Sequence, residues 1–260
     1  MQCRPTLVFF ALLLPCLAGR AAEPHALTFC YEDVEQRPWS TPAGTGLNFE
    51  LLKRVESRLG ERFMYVARPW KRCLEEVRLG TIDGAIGAGE SVERRKFAVY
   101  PELPGGEADP ARALFTDDVH VFLRVGGRAS WDGTQLRAPS GEVVVQSSYL
   151  VAEKLRQRGF APKERVKSAA DALRLLASGI YDVAILEGIE ASRLARDDPR
   201  FNKVVTRAPV PYELEHFHLM ISRITRNRDP DRVEAIWNAI GAVHLAEDYR
   251  KLEAAEGVGR

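Results

Sequence analysis

A short pattern of residues occurs in both halves of the chain and limits the folds that it can adopt. Residues 74–86 and 173–185 each place apolar side chains at helical spacing, then a glycine (Gly80 or Gly179), then an Ala-Ile pair. Because glycine readily takes the left-handed conformation that ends a helix, both segments predict a helix that turns into a strand. The pattern predicts two α/β units of similar design. Glycine caps are common, so chance similarity between two such turns is the alternative.

The rest of the chain alternates strand-like and helix-like segments. Apolar runs at residues 27–31 and 64–67 predict strands, and helical spacing at residues 47–59 and 70–79 predicts helices. This βαβα order is typical of a parallel sheet covered by helices, so we expect an α/β architecture. The further predicted elements are strands at residues 119–125 and 142–146 and a helix from Ser147-Ser148 to Gly159. The C-terminal part from about residue 232 to 256 is predicted to be helical, with Ile236, Ile240 and Val243 as its buried stripe.

Residues 1–22 have the features of a cleaved secretory signal peptide. Arg4 gives a positively charged start, residues 7–14 form an unbroken apolar run, and residues 19–22 are mostly small. The run is shorter than the roughly 20 residues that cross a bilayer. The alternatives are a buried N-terminal helix, which would need a polar face, and a lipoprotein attached at Cys16, which follows a proline rather than a small residue. We therefore expect a soluble mature chain in the periplasm.

Composition and charge exclude several classes of protein. The 37 Lys and Arg residues nearly balance the 36 Asp and Glu residues, so no general field attracts nucleic acid or an anionic membrane. Removal of the signal peptide takes away Arg4 and Arg20 and no acidic residue, which leaves the mature chain close to neutral. A hydrophobic content of 45% is typical of a globular chain. We expect no nucleic-acid partner.

Two of the four cysteines remain after export. Cys3 and Cys16 lie in the signal peptide, whereas Cys30 and Cys73 belong to the mature chain. An even number of cysteines in an oxidising compartment predicts a disulfide between Cys30 and Cys73. Two buried free thiols are the alternative.

The sequence lacks the common motifs of catalytic, nucleotide-binding and metal-binding sites. It has no P-loop, no dinucleotide-binding glycine motif, no nucleophile elbow, and no His-Glu-x-x-His or Cys-x-x-Cys motif. His216 and His218 would lie on one face of a strand, but no cysteine or third histidine is near them in the sequence. We therefore expect neither a metal nor a cofactor, and a protein that is not an enzyme.

Several segments resemble a known family of binding proteins. Residues 74–101 run from the first repeat through Gly-Thr-Ile-Asp-Gly-Ala-Ile-Gly to Ser-Val-Glu-Arg-Arg-Lys-Phe-Ala-Val-Tyr-Pro. They are similar to the signature of extracellular solute-binding protein family 3, the polar-amino-acid type of periplasmic binding protein that serves ABC transporters. Residues 182–187 and 143–149 resemble the matching segments of the second lobe. The features that resemble a subgroup with poorly defined ligands are Cys30-Tyr-Glu-Asp, Pro38-Trp39 and Pro69-Trp-Lys-Arg-Cys73.

The resemblance implies a type II-like fold of two Rossmann-like lobes joined by a two-strand hinge. We expect lobe 1 at residues 24–120 and 215–260, and lobe 2 at residues 124–210. The two strands that cross between the lobes are expected near Val121 and Phe217. In proteins of this design the lobes close on a small molecule.

The resemblance also implies a set of ligand-binding residues. Arg94 matches the arginine that clamps a ligand carboxylate with two hydrogen bonds, and Glu187 matches the acid that neutralises the ligand ammonium. Ser148 matches the Ser or Thr at the start of a second-lobe helix, where the hydroxyl and free amides favour an anion. Ser91 is expected to cap the short helix of Arg94 and to donate to the ligand. The expected aromatic wall is formed by Tyr31, Trp39 and Trp70.

Each of these residues also has a purely structural interpretation. Arg94 would equally form a salt bridge between the lobes, Glu187 a solvated acid at a helix start, and Ser148 a helix cap, and the aromatic residues would lie in the core. Residues 87–89 (Gly-Ala-Gly) replace the small hydroxyl residues of amino-acid binders, and Asn48 replaces a usual aspartate. The pocket therefore departs from the pattern of the family.

The expected function is capture of a small polar solute, an amino acid or similar molecule, and its delivery to an ABC permease in the inner membrane. A dehydratase-like periplasmic enzyme on the same fold is one alternative. A ligand sensor that acts on a membrane signalling partner is the other. We expect a monomer.

Overall fold

The structure, a computed structural model, describes residues 25–258. The predicted signal peptide at residues 1–22 lies outside this part of the chain. The strands are β1 (Leu27–Glu32), β2 (Phe63–Arg68), β3 (Gly84–Gly89), β4 (Ala98–Val99), β5 (Phe115–Arg124), β6 (Ser130–Trp131), β7 (Leu136–Arg137), β8 (Glu142–Gln146), β9 (Ala161–Val166), β10 (Val183–Glu187), β11 (Val205–Arg207) and β12 (Glu213–Ser222). The helices are α1 (Leu47–Leu59), α2 (Trp70–Leu79), α3 (Val92–Arg95), α4 (Leu150–Gln157), α5 (Ala169–Ala177), α6 (Gly188–Asp197), α7 (Arg223–Arg228), α8 (Pro230–His244) and α9 (Glu247–Ala255), and Pro110–Arg112 forms a 3-10 turn.

The main sheet contains two parallel units separated by two antiparallel strands. Its strand order is β2-β1-β3-β12-β5-β10-β8-β9, with β4 beside β12 and β11 beside β5. Strand β1 runs parallel to β2 and β3, and β8 runs parallel to β9 and β10. We call the half that contains β1–β3 the first unit and the half that contains β8–β10 the second unit. The α/β architecture predicted from the sequence is confirmed.

Strands β5 and β12 connect the two units. Residues 115–119 of β5 pair with residues 213–217 of β12 in antiparallel register. Beyond this shared segment, β5 continues beside β10 and β12 continues beside β3. Each long strand therefore belongs to one unit at one end and to the other unit at its other end.

Glycine residues end the first two helices as the sequence predicts. Gly60 follows α1 with a φ of 67°, and Gly80 follows α2 with a φ of 69°. At both positions the left-handed conformation lets the glycine amide bond to a helix carbonyl, which satisfies one of the orphan acceptors at the helix end. In the second unit, the Ser168 side chain accepts a hydrogen bond from the amide of Asp171 and caps α5.

Each copy of the repeat has an aspartate three residues after its glycine, Asp83 or Asp182, and the two have similar structural roles at the starts of strands. Asp83, just before β3, accepts hydrogen bonds from the amide of Thr28 at 2.9 Å and from the hydroxyl of Thr225 at 2.7 Å. Asp182, just before β10, accepts from the guanidinium of Arg124 at 2.6 Å. Each carboxylate ties the start of its own strand to a neighbouring element. The aspartate of each repeat copy therefore has a role in the fold.

The helical C-terminal part predicted from the sequence is confirmed, and the structure divides it into two helices, α8 and α9. Helix α8 ends at His244, and Ala246 takes an extended conformation with a ψ of 134°. The break redirects α9 so that the ring of Tyr249 becomes fully buried and its hydroxyl donates to the carbonyl of Leu47. The predicted buried stripe of α8, consisting of Ile236, Ile240 and Val243, is confirmed.

A disulfide joins Cys30 of β1 to Cys73 of α2, as predicted, with the two Cα atoms 5.7 Å apart. Both cysteines are fully buried. The bond fixes the position of α2 against the edge of the first unit where β1 ends. Within residues 25–258, no helix combines the length and the apolar character that crossing a membrane requires.

Candidate functional site

A cavity lies where the carboxyl ends of the parallel strands of both units meet. Its volume is about 470 Å³ when the part that opens to solvent is included. In open parallel α/β sheets, ligands bind outside the carboxyl ends of the strands, because the loops there diverge and leave a crevice. Glu32, the last residue of β1, and Glu187, the last residue of β10, both line this cavity. The two units therefore contribute facing walls.

Arg94 contributes the positive charge of the cavity wall. It lies in α3, whose first turn is fixed by Ser91, because the Ser91 hydroxyl accepts a hydrogen bond from the Arg94 amide at 3.2 Å. The guanidinium donates to the carbonyls of Gly89 at 2.9 Å and of Ser148 at 3.1 Å, and lies 5.5 Å from the ring centre of Trp70. Arg94 is only 6% exposed, and within residues 25–258 no acidic side chain forms an ion pair with it.

Glu187 faces Arg94 from the second unit. It precedes α6 but makes no side-chain cap with that helix, and no hydrogen bond to its carboxylate is present within the described chain. Burial raises the pKa of Glu187 well above its usual range, and the carboxylates of Asp117, Glu32 and Glu215 raise it further, whereas Arg94 opposes the shift. A cationic group in the cavity would reverse this unfavourable environment for the ionised carboxylate.

Glu32 and Tyr149 connect the two walls of the cavity. The Tyr149 hydroxyl donates to the Glu32 carboxylate, and Gln36 donates to the same carboxylate at 3.0 Å. The amide nitrogens of Gln36 and Gln146 also donate to the Tyr149 oxygen, at 2.7 and 3.0 Å. Burial raises the pKa of Glu32 to about 8, with the Tyr149 hydrogen bond acting against the shift. The neutral form of Glu32 is therefore favoured near neutral pH.

Glu215 of β12 supplies a third carboxylate to the cavity. Lys154 donates to it at 3.1 Å and also to Glu213 at 2.9 Å, so one ammonium is shared between two acids. A β-carbon at Gly89 would lie 2.6 Å from the Glu215 Oε1 atom. The Glu215 carboxylate can therefore occupy this position only because Gly89 has no side chain.

A smaller pocket adjoins the cavity at Glu187 and Gln36. It contains Asp117, whose carboxylate accepts from the Trp39 indole at 3.4 Å and from the Ile189 amide at 3.3 Å. Burial raises the pKa of Asp117 to about 7, and these hydrogen bonds oppose the rise. The acidic character of the cavity therefore extends into the hinge strand β5.

The structure brings only part of the predicted ligand set to the cavity. Arg94, Glu187 and Trp70 line it. Ser91 and Ser148 line an adjoining groove, which shares Arg94, Tyr149 and Leu150 with the cavity. Both serines contact Arg94, one through its hydroxyl and the other through its carbonyl. These two serines therefore position Arg94 rather than face the cavity.

Tyr31 and Trp39 do not line the main cavity. Tyr31 is packed against Phe49 in the first unit, and its hydroxyl donates to the carbonyl of Pro42 at 3.2 Å. Trp39 stacks on Phe115 with ring centres 4.3 Å apart. Both aromatic rings are nearly fully buried, and their contribution is to the core of the first unit and the base of the hinge.

Ser148 does not begin the helix, contrary to the prediction. Helix α4 starts at Leu150, with Tyr149 as its N-cap residue. Ser148 instead takes a left-handed conformation with a φ of 66°, and its amide donates to Glu164 at 3.1 Å. An amide with this partner is not available to an anion. The left-handed turn also directs the Ser148 carbonyl to Arg94.

The sequence reasoning missed Glu32, Tyr149 and Glu215. Glu32 follows the predicted first strand directly, so its place at the carboxyl end of a parallel strand was a usable signal. Tyr149 and Glu215 gave no local signal, because a tyrosine after two serines and a glutamate in an alternating strand occur equally on solvent-exposed surfaces.

The two histidines considered as a metal pair make separate hydrogen bonds. His216 Nδ1 lies 2.8 Å from the Thr116 hydroxyl, and His218 Nε2 lies 3.0 Å from the Asp109 carbonyl oxygen. Over the described residues, no group of three or more His, Cys, Asp or Glu side chains has an arrangement suited to a metal ion.

Comparisons with known proteins identify the fold. No family model matches the chain, and no curated protein matches it in sequence. A histidine kinase sensor domain with similarity to periplasmic binding proteins matches with a TM-score of 0.69 at 16% identity, over 89% of this chain and 96% of that chain. The fold is that of the two-lobed periplasmic binding proteins. The first and second units described above are its lobes.

Two further solved structures match over nearly the whole chain. The amino acid ABC transporter substrate-binding protein AbpA from Streptococcus pneumoniae, bound to L-arginine, matches with a TM-score of 0.65 at 16% identity, over 89% of this chain and 94% of that chain. The ancestral amino acid-binding protein AncCDT-1, a precursor of cyclohexadienyl dehydratase, matches with a TM-score of 0.63 at 20% identity, over 88% and 94% of the two chains. Binding proteins thus predominate among the similar structures, and one precedes an enzyme.

Proposed function

We propose that the chain is an exported solute-binding protein that captures a small polar solute between its lobes and delivers it to an ABC transporter. The observation that carries this proposal is the cavity between facing walls, in which Arg94 and Glu187 place opposite charges. Within residues 25–258, neither side chain has an ion-pair partner. A zwitterionic solute with a carboxylate near Arg94 and an ammonium near Glu187 would give each of these side chains an ion-pair partner.

The lobe boundaries belong to this proposal. We place lobe 1 at residues 24–120 and 215–260 and lobe 2 at residues 124–210. The pairing of strands β5 and β12 supports these boundaries, because each strand changes its neighbours within the shared segment 115–119 and 213–217. Strand β5 passes to β10 at Val119 and strand β12 passes to β3 at Phe217, at opposite ends of the shared segment. A small change in the backbone torsions of this segment would rotate one lobe relative to the other.

Binding and closure are one event in this proposal. Each lobe alone presents half a site, so a solute that contacts both walls has a higher affinity for the closed form than for the open form. That difference in affinity is what shifts the hinge equilibrium. The transporter would then distinguish loaded from empty protein by the closed shape.

Export and the oligomeric state are inferred from the chain itself. The disulfide between Cys30 and Cys73 supports an oxidising compartment, because such bonds are rare in the cytosol. The predicted signal peptide and the periplasmic location are consistent with it. We propose a monomer that docks on an inner-membrane permease.

A direct test is to identify the solute. The chain would be expressed with its own leader, purified from the periplasm under native conditions, and analysed by mass spectrometry for small molecules released on unfolding. We expect one class of polar solute at a near-stoichiometric level, and calorimetry should then give a dissociation constant in the micromolar range or tighter. Turnover of that solute by the purified protein would instead favour a dehydratase-like enzyme.

A ligand sensor is the second candidate function. The similarity to a histidine kinase sensor domain favours it, because that protein uses the same fold for signalling. The described residues contain no membrane-spanning helix, so sensing by this part of the chain would require a separate membrane partner. Co-purification of the protein with a permease would favour transport, whereas co-purification with a signalling receptor would favour sensing.

A further inference from the structure

The cavity contains more acidic than basic groups. Three carboxylates line it, from Glu32, Glu187 and Glu215, and Arg94 is the only cationic side chain among its lining residues in the described chain. A solute with one carboxylate and one ammonium would balance Arg94 and one acid. Two carboxylates would remain.

The remaining carboxylates are only partly balanced by nearby protein cations. Glu32 is 4% exposed, and its hydrogen-bond donors, Tyr149 and Gln36, are uncharged. Glu215 shares Lys154 with Glu213, so that pair of acids keeps a net negative charge when both are ionised. Buried charges without an opposite partner are costly, so the closed cavity favours a ligand that supplies positive charge.

The backbone at Gly89 makes room for this acidic wall. A β-carbon there would lie 2.6 Å from Glu215 and 2.8 Å from Leu150. A serine or threonine at this position, as in the amino-acid binders of the resembled family, would therefore displace the Glu215 carboxylate. Residues 87–89 therefore lack hydroxyl donors and, at Gly89, leave room for the carboxylate of Glu215.

We propose that the solute is a small organic dication, with one cationic group held by Glu187 and a second held by Glu215 and Glu32. This inference rests on the proposed function and names the substrate class of the same site. The shared chemistry is a pair of amino or guanidino groups on a short aliphatic chain. The dication is either a dibasic amino acid, whose carboxylate would contact Arg94, or a diamine, which has no carboxylate.

Proton release supports the proposal. The pKa of each of the three lining acids is raised by burial, so the empty cavity retains protons that a dication would displace. Binding of a dication should therefore release protons at neutral pH, whereas a neutral amino acid should release fewer. Calorimetry in two buffers with different ionisation enthalpies measures this number.

Four matched probes separate the charge classes. L-Lysine carries two cationic groups and a carboxylate, L-norleucine lacks the second cationic group, cadaverine lacks the carboxylate, and L-glutamate has the opposite side-chain charge. We expect L-lysine to bind the ligand-free protein at least roughly thirtyfold more tightly than L-norleucine, since one charge-assisted contact in a closed site supplies about that factor. L-Glutamate should not bind measurably.

Matched variants locate the second cationic group. Glu215→Gln should reduce the preference for L-lysine over L-norleucine to less than about threefold, and Glu32→Gln should reduce it in the same direction. Glu213→Gln is the control, because Glu213 also binds Lys154 but does not line the cavity, and it should keep the preference. Far-ultraviolet circular dichroism and thermal unfolding confirm that each variant is folded.

The outcomes separate this inference from the proposed function. Tight binding of cadaverine as well as L-lysine supports the dication and shows that no ligand carboxylate is needed at Arg94. Binding of L-norleucine or L-glutamate in preference to L-lysine overturns the dication but leaves a solute-binding protein. Failure of L-lysine and cadaverine to bind also overturns it, and the co-purified solute then decides the proposed function separately.

Discussion

The Tyr149 hydroxyl donates a hydrogen bond to the Glu32 carboxylate, and the two residues belong to different lobes. Gln36 strengthens the contact because its amide donates to both side chains, at 3.0 Å to Glu32 and at 2.7 Å to Tyr149. A second contact between the lobes is formed by Arg94 and the Ser148 carbonyl. Polar contacts at the cavity itself therefore hold its two walls together, and a solute that contacts both walls would reinforce them.

Removing the Tyr149 hydroxyl should open the empty protein. Tyr149→Phe leaves the buried Glu32 carboxyl without its principal donor, which costs about 1–3 kcal/mol in the closed form and little in an open form where water replaces it. We expect a larger radius of gyration for the ligand-free variant in small-angle X-ray scattering. Tyr212→Phe is the control, because the Tyr212 hydroxyl accepts from Arg158 at 2.7 Å and Tyr212 does not line the cavity. An unchanged radius in Tyr149→Phe would contradict this role of the hydroxyl.

The stability of the ligand-free protein should fall as the pH rises. Burial raises the pKa of Glu32 to about 8 and of Asp117 to about 7, so the folded protein retains protons that the unfolded chain has lost. The stabilisation from a raised acid pKa is complete below the unfolded value and disappears as the pH rises through the folded value. Between those two values, each such group lowers the free energy of unfolding by about 1.4 kcal/mol per pH unit.

The groups around Glu32 define the control for this pH effect. Glu32 faces the Tyr149 hydroxyl, the Asp33 carboxylate and the positive charges of Lys167 and Arg94, and burial outweighs their combined influence. Thermal unfolding of the wild type should show a falling midpoint from about pH 5.5 to 8.5, and Glu32→Gln should flatten that slope. Glu35→Gln should leave the slope unchanged, because Glu35 forms an exposed ion pair with Arg37 at the surface. A wild-type midpoint that rises across this range contradicts the assignment.

The disulfide should contribute a large part of the stability of lobe 1. It closes a loop with a sequence separation of 43 residues. On the chain-entropy model such a loop stabilises the folded state by about 4 kcal/mol. The double variant Cys30→Ser and Cys73→Ser should unfold at a correspondingly lower guanidinium concentration, and reductant should shift the wild type but not the variant. Two alkylatable thiols in the native exported protein would exclude the bond.

The repeat aspartates should affect stability more than ligand affinity. Asp83→Asn leaves buried donors from Thr28 and Thr225 poorly paired, which should cost about 1–3 kcal/mol. Asp182→Asn should cost less because its partner Arg124 is partly exposed. Asp197→Asn is the surface control, and it should change the unfolding free energy by less than about 0.5 kcal/mol. A loss of affinity without a loss of stability in Asp83→Asn would place this residue in the site instead.

Local patterns were sufficient to predict the elements but not the full site. Gly60 and Gly80 determine where α1 and α2 end through their own conformational freedom, so the helix bounds followed from sequence. Arg94 and Glu187 were recognised through the resembled family. Glu215 became part of the cavity only because β12 pairs with β3 and Gly89 leaves space, and that relation joins residues far apart in the chain.

The predicted site residues that lie away from the main cavity have a common physical cause for their placement. Tyr31 and Trp39 lie next to the cleft in sequence, but large aromatic side chains contribute most when they are buried in a core, and both are. Ser148 has a helix-capping sequence, but tertiary contacts of its carbonyl with Arg94 and of its amide with Glu164 select a left-handed turn. Tertiary contacts therefore overrode local preference at these positions.

Arg94 should determine the affinity for a solute that carries a carboxylate. Its guanidinium is buried, is held by the carbonyls of Gly89 and Ser148, and lines the cavity. Arg94→Ala should cost about 2–4 kcal/mol, or roughly thirtyfold to a thousandfold in affinity, because a charge-assisted contact in a water-poor cleft is lost. Arg94→Lys should rescue poorly, because an ammonium cannot reproduce the planar pair of donors.

Calorimetry with the identified solute distinguishes binding from structural roles of this pair. Arg95→Ala is the matched control, because Arg95 forms ion pairs with Glu90 and Glu102 and does not line the cavity. Glu187→Gln keeps the shape of the side chain but removes the charge that faces the solute cation, so it should weaken binding in the same direction as Arg94→Ala. If both variants bind within about threefold of the wild type, Arg94 and Glu187 serve the fold alone, and the solute must be recognised by Glu32, Glu215 and the apolar walls.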